Sequence, residues 1–172
     1  MIKFVRLAAL AAAATAIATP AFAQQVPVQA SPNAQARARI LKPLVLKGTQ
    51  NLLFGDIVVG SVVGTQTVNI DYSTGNRTGC TNGLTCSGTV QRAIYNIEGS
   101  NGATVTVDSS PTDLENANFD TLQFTPNHPA TVLLVNSGAP GTNFFVGGSI
   151  DLDANTPEGL YTGDMEITVQ YP

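Results

Sequence analysis

The chain has 172 residues, 43% of them hydrophobic and only 12% charged, with no Trp and a single His. Its formal charge of −4 and its scarcity of Lys and Arg argue against a partner bound through a basic surface, whether nucleic acid or anionic membrane. The length fits one ordinary domain, and the abundance of Thr, Asn, Ser and Gly is that of an exported all-β protein.

The first 23 residues read as a Sec-type signal peptide. Lys3 and Arg6 form a positive start, residues 7–18 an apolar stretch, and Ala21-Phe22-Ala23 an A-x-A cleavage site before Gln24. The stretch is too short to remain as a membrane span, and no later run is long enough for one. Cleavage predicts a mature chain of about 149 residues. It holds six cations against twelve acids, and Arg37, Arg39, Lys42 and Lys47 are four of the six.

Residues 24–36 form an extension ahead of a domain at 37–172. From Val26 to Ile40 every even position is apolar or Pro, including Val28, Ala30, Ala34, Ala36 and Ala38, while the odd positions are mostly polar. A period of two is a strand pattern. Pro27 and Pro32 cannot donate to a ladder, which suits an edge or an unpaired arm. Two readings stand side by side here: an Ala- and Gln-rich unstructured leader, or a strand offered to a partner.

Strands are then expected at 39–46, at 52–54 with 57–59, at 64–72, 88–97, 103–107, 121–124, 131–135, 144–153 and 161–171. Gly, Asn, Asp, Ser and Pro separate them, and no helical period longer than two turns interrupts them. Eight or nine short strands predict an all-β fold, an immunoglobulin-like antiparallel β-sandwich. Cys80 and Cys86 are predicted to form one disulfide in an oxidising compartment, closing a seven-residue loop as a stapled hairpin tip with Asn82-Gly83 as its turn. Neither a C-x-x-C redox spacing nor a second His for zinc is present. The polar run 108–120 reads as a long loop with one helical turn at 112–116.

Catalytic and metal chemistry find little support. His128, between Pro126, Asn127 and Pro129, reads as an exposed turn, and no G-x-S-x-G or similar motif surrounds any serine, so no catalytic residue is assigned and no enzyme is expected. Asp151-Leu152-Asp153-Ala154-Asn155 has Thr156 and Thr162 where a calcium loop needs Gly and Glu, and Asn155-Thr156-Pro157-Glu158-Gly159 reads as the turn launching the last strand. No metal or other cofactor is expected. Phe144, Phe145, Tyr72 and Tyr95 sit in strand patterns that favour core packing over sugar stacking.

The ending GLYTGDMEITVQYP alternates without a break: Met165, Ile167, Val169 and Tyr171 against Asp164, Glu166, Thr168 and Gln170. With Gly159 fourteenth from the end, Tyr161 beyond it and Tyr171 penultimate, it resembles the C-terminal β-zipper of chaperone–usher pilins. That resemblance implies an incomplete immunoglobulin-like domain whose last strand borders a groove. A periplasmic chaperone would fill the groove first, then a neighbouring subunit's N-terminal extension, for which Val28, Ala30, Ala34, Ala36 and Ala38 are the candidates. Over residues 34–172 the chain also resembles a family of exported proteobacterial domains of unknown function. Its shared motifs are A-x-A-R-I (Ala36, Arg39, Ile40), L-x-F-G-x-I (Phe54, Gly55, Ile57) and G-x-Y-x-G followed by an alternating strand and Tyr (Gly159, Tyr161, Gly163, Tyr171). Two departures from pilins are plain: the cysteines lie only six residues apart, and the arm carries Ala and Pro instead of bulky side chains.

The expectation is a structural subunit, exported through the periplasm to the cell surface or beyond, that forms a homopolymer of fimbria-like or adhesive character. The alternative is a self-contained secreted sandwich that binds a glycan or a surface protein.

Overall fold

The computed structural model describes residues 27–29 and 31–172. The predicted signal peptide and Ala30 lie outside them. The chain divides into two compact units, one up to Ala38 and one at Arg39–Pro172. In the first, the described residues are exposed and belong to no strand.

The second unit is all-β and antiparallel, a sandwich-like arrangement with no helix among the described residues. Its strands are β1 (Val45–Gln50), β2 (Asp56–Val59), β3 (Gln66–Ile70), β4 (Arg77–Thr78), β5 (Leu84–Ser87) and β6 (Ala93–Glu98), then β7 (Thr104–Ser109), β8 (Thr112–Glu115), β9 (Thr121–Asn127), β10 (Thr131–Leu133), β11 (Thr142–Leu152) and β12 (Ile167–Gln170). The large sheet runs β1-β6-β11-β3-β4, with β9 and then β8 attached through β11. Opposite it lie the sheet β10-β7-β12 and the pair β2-β5.

The long strand β11 organises the fold. Its first half pairs with β6 (Phe144 opposite Tyr95), and its second half with β3 and β9 (Ile150 opposite Val68 and Phe124). The change of partners falls at Gly147-Gly148. A side chain on Gly147 would collide with the Ile70 carbonyl, and one on Gly148 with the Phe124 ring. Only Gly permits so close an approach of strand to strand. Each half of β11 carries its own core. One gathers Ala93, Ile97, Val105, Val107, Val132, Leu134, Phe144 and Val146, the other Val62, Val68, Leu84, Leu122, Phe124, Ile150 and Leu152.

Several expected boundaries move. The first strand begins at Val45 and not at residue 39. The helical turn expected at 112–116 is strand β8, paired with β9 from Thr112↔Phe124 to Glu115↔Thr121. Alternation of half-buried Thr112 and Leu114 with exposed Asp113 and Glu115, next to a strong partner, overrides a weak local helix preference. The strand expected at 88–97 starts at Ala93, and residues 84–87 form β5 instead.

Candidate functional site at the free edge of the last strand

Cys80 and Cys86 form the predicted disulfide, with Cα atoms 5.7 Å apart. Asn82 (φ 52°) and Gly83 (φ 94°) make the predicted turn, closed by Leu84 N donating to Thr81 O at 3.1 Å. The surroundings are not a hairpin, however. Thr78 on one side pairs with Asn69 of β3, while Cys86 on the other pairs with Ile57 of β2. The disulfide therefore fastens the small β2-β5 pair to the end of the large sheet. Arg77 helps by donating to the Phe54 carbonyl and, at 3.0 Å, to the Ser87 carbonyl.

The C-terminal residues follow β8 and then β7 backwards. Gly159 packs on the buried Asn116, whose Nδ2 would stand 2.9 Å from an added Cβ. Tyr161 rests on the second core and donates from its hydroxyl to Pro157 O at 2.9 Å. Thr162 exchanges backbone bonds with Glu115 at 2.8 and 3.0 Å. Pairing then lapses until Ile167 meets Ser109, and continues through Thr168↔Asp108, Val169↔Val107 and Gln170↔Thr106. The run expected as one strand over 161–171 is thus split. Between β7 and β8 lies Pro111, which has no N–H for a ladder, and Gly163 sits tight against the Asp113 carbonyl, 2.9 Å from its missing Cβ.

Met165, Ile167, Val169 and Tyr171 are half-buried and turn toward the first core, with Met165 touching the second as well. So do Leu44, Leu46 and Leu52 from the β1 side. Both β1 and β12 are the outermost strands of their sheets. The two edges approach at one end, where the Tyr171 hydroxyl donates to Lys42 O (2.8 Å) and accepts from Ser100 N (2.9 Å). A Cβ on Gly99 there would lie 2.7 to 2.8 Å from Leu134, Tyr171 and Leu44, so this end is closed. Away from it the two edges leave a seam of half-buried apolar side chains.

The direction of the backbone groups on β12 follows from its neighbour. Val107 N donates to Ala130 O at 3.0 Å, away from β12. In an antiparallel ladder the adjacent residues Thr106 and Asp108 then face β12, where Thr168 and Gln170 answer them. The N–H and C=O groups of Ile167 and Val169 consequently point to the free edge. Tyr95, half-buried against the first core, stacks on Phe144 with centroids 5.6 Å apart. Burial, and secondarily the charge of Asp164, push its phenol above the ordinary range.

Of the arm candidates, Val28 is 95% exposed, Ala34, Ala36 and Ala38 are exposed, and Ala30 lies outside the described residues. One contact was invisible in the sequence. His128 is half-buried and not in an exposed turn, with Nε2 2.9 Å from Ser109 Oγ and Nδ1 3.1 Å from Pro129 O. A carbonyl only accepts, so Nδ1 donates to Pro129 O; in the neutral ring Nε2 then accepts from Ser109 Oγ. Their separation of nineteen positions carries no spacing signal.

Residues 44–171 match a family described as a domain of unknown function, DUF4402. No curated protein and no solved structure matches the chain. The match begins one residue before β1 and leaves the arm outside it.

Proposed function

Since the chain belongs to the DUF4402 family, whose function its description leaves open, we propose from the free edge that it is an exported structural subunit. Copies join by strand complementation into a fimbria-like or adhesive surface assembly. The observation that carries this reading is β12, whose outward backbone groups at Ile167 and Val169 lie beside an apolar seam. An added strand there would satisfy both the hydrogen bonds and the half-exposed side chains, the logic of β-augmentation. The arm, with its period of two and its exposed Ala34, Ala36 and Ala38, is the segment of a neighbouring copy suited to supply it. A periplasmic chaperone strand would hold the edge before assembly. The Ala side chains contribute only about 0.8 kcal/mol each on burial, so backbone pairing carries much of the affinity and the joint is weaker than one plugged by Leu or Ile.

The test compares the mature chain with one lacking residues 24–36, by negative-stain microscopy and light scattering. Linear fibres from the full chain alone are expected. A full chain that stays monomeric even beside its export machinery refutes strand exchange and favours a self-contained binding module.

A further inference from the structure

Charge is distributed unevenly along the free edge of β12. Asp164 and Glu166, both exposed, lie in the unpaired stretch just before the strand begins. At the other end stands Lys42, whose carbonyl receives the Tyr171 hydroxyl. The arm is polarised too: its alternating stretch ends in Arg37 and Arg39, and both are exposed. The remaining mature-chain arginines are occupied elsewhere. Arg77 donates to the Phe54 and Ser87 carbonyls, and Arg92 donates to those of Tyr72 and Ser73 and covers the Phe145 ring at 3.5 Å.

Resting on strand exchange as the function, we propose that the arm of one copy lies antiparallel along β12 of the next. Its register sets Arg37 opposite Glu166 and Arg39 opposite Asp164. Directly opposed residues in an antiparallel pair point to the same face. Ala38, Ala36 and Ala34 then fall opposite Met165, Ile167 and Val169 and turn into the seam. Ala36 and Ala34 keep the N–H groups that the outward-facing backbone of Ile167 and Val169 requires. Pro32, which has no N–H, falls opposite Tyr171, just past the last residue of β12.

The alternatives that keep Ala inward are worse. Sliding the arm two residues one way sets Pro32 against Val169 and forfeits a ladder bond. Sliding it two residues the other way leaves only Arg39 beside an acid. Reversing the arm carries both arginines toward Lys42. Each opposed charge pair contributes roughly 0.2–1 kcal/mol and each like pair costs a similar amount, so charge selects among backbone pairings that are otherwise nearly equal. Assembly is therefore polar and weakens as salt rises.

Cysteine pairs in the full mature chain test the register. Arg37→Cys combined with Glu166→Cys should give a ladder of covalent oligomers on a non-reducing gel that collapses on reduction. Arg37→Cys with Gln170→Cys, the pair a parallel arm would bring together, should not. As a second reading, Arg37→Glu with Arg39→Glu should slow fibre growth on the order of tenfold at low salt. Adding Asp164→Lys and Glu166→Lys should restore it. A ladder from the second cysteine pair, or arm-dependent fibres with no ladder from the first and no effect of charge reversal, overturns this register while leaving strand exchange standing. A full chain that forms no fibres overturns both.

Discussion

Replacing Tyr171 with Phe removes one oxygen and leaves the ring packed against the first core. That oxygen receives the Ser100 N–H at 2.9 Å and donates to the Lys42 carbonyl at 2.8 Å, joining residues 71 and 129 positions away in sequence. Lys42 is exposed, so water can replace its lost partner. Ser100 is half-buried beside Gly99, where even a methyl group would meet three side chains within 2.8 Å, so its N–H loses more. One rehydrated and one poorly rehydrated group together give a loss of about 1–2 kcal/mol. For a domain of roughly 130 residues that lowers Tm by about 3–8 °C, readable by calorimetry or circular dichroism. The same change should speed hydrogen exchange at Leu44 and Leu46 more than in β7, because it frees the start of β1. Tyr161→Phe is the control, since that hydroxyl donates to one exposed carbonyl, and it should cost less than about 0.5 kcal/mol. Equal melting points for wild type and Tyr171→Phe, or equal losses for the two variants, would refute the view that this hydroxyl fastens the closed end of the seam.

Gly147→Ala drives a methyl group into the Ile70 carbonyl and should cost about 3 kcal/mol or more, seen as a collapsed denaturant midpoint or insoluble expression. Cys80→Ser with Cys86→Ser releases a seven-residue ring and should cost about 2 kcal/mol, with a matching loss when wild type is reduced. Tyr95, held protonated first by burial and then by Asp164, should titrate above free tyrosine when followed by ultraviolet absorbance, and Asp164→Asn should bring it partway back. Because its folded pKa is raised, the stability it contributes is complete below about pH 10 and is lost as pH rises through the folded value. Asp71 titrates the opposite way. Bonds from Thr74 N (2.7 Å) and Thr74 Oγ1 (2.9 Å) hold its carboxyl below 3.8, so the 71–75 turn should loosen as pH falls below about 4, and chemical shifts of Thr74 would report it.

What could be read from the sequence depended on how local the determining physics was. The fold class, the disulfide, the Asn82-Gly83 turn and the inward set Met165, Ile167, Val169 and Tyr171 each follow from spacing within a few residues. Strand β8 was missed because its state depends on pairing with β9, and four residues with two acids carry no pattern strong enough to announce it. The split in the last strand depends on Pro111, about fifty residues earlier. The seam was legible from one side only: alternation marks β12, but nothing local says that β1 is the opposing edge. The Ser109–His128 contact and the Tyr171–Lys42 bond join distant residues and had no sequence signal.

The two half-cores are closed by different means, and the contrast bears on function. Around Phe124 and Ile150 the small β2-β5 pair is fastened by the Cys80–Cys86 disulfide and by Arg77 on two carbonyls, with Phe54 edge-on to Phe124 at 6.1 Å. Around Ile97 and Val105 there is no covalent fastening; the cover on one side is a row of half-buried side chains ending at the Tyr171 hydroxyl. A chain selected only for stability gains from covering that row with Leu or Ile of its own. Here the segment just before the domain alternates but offers Ala, which contributes little on burial. β11 runs through both halves and so ties the half fastened by the disulfide to the half edged by β1 and β12; under the proposed strand exchange it is the latter that takes a strand from outside. On that reasoning, enlarging Ala36 to Val should strengthen the joint between copies without altering the melting of an arm-deleted monomer, because the gain belongs to the contact and not to the domain.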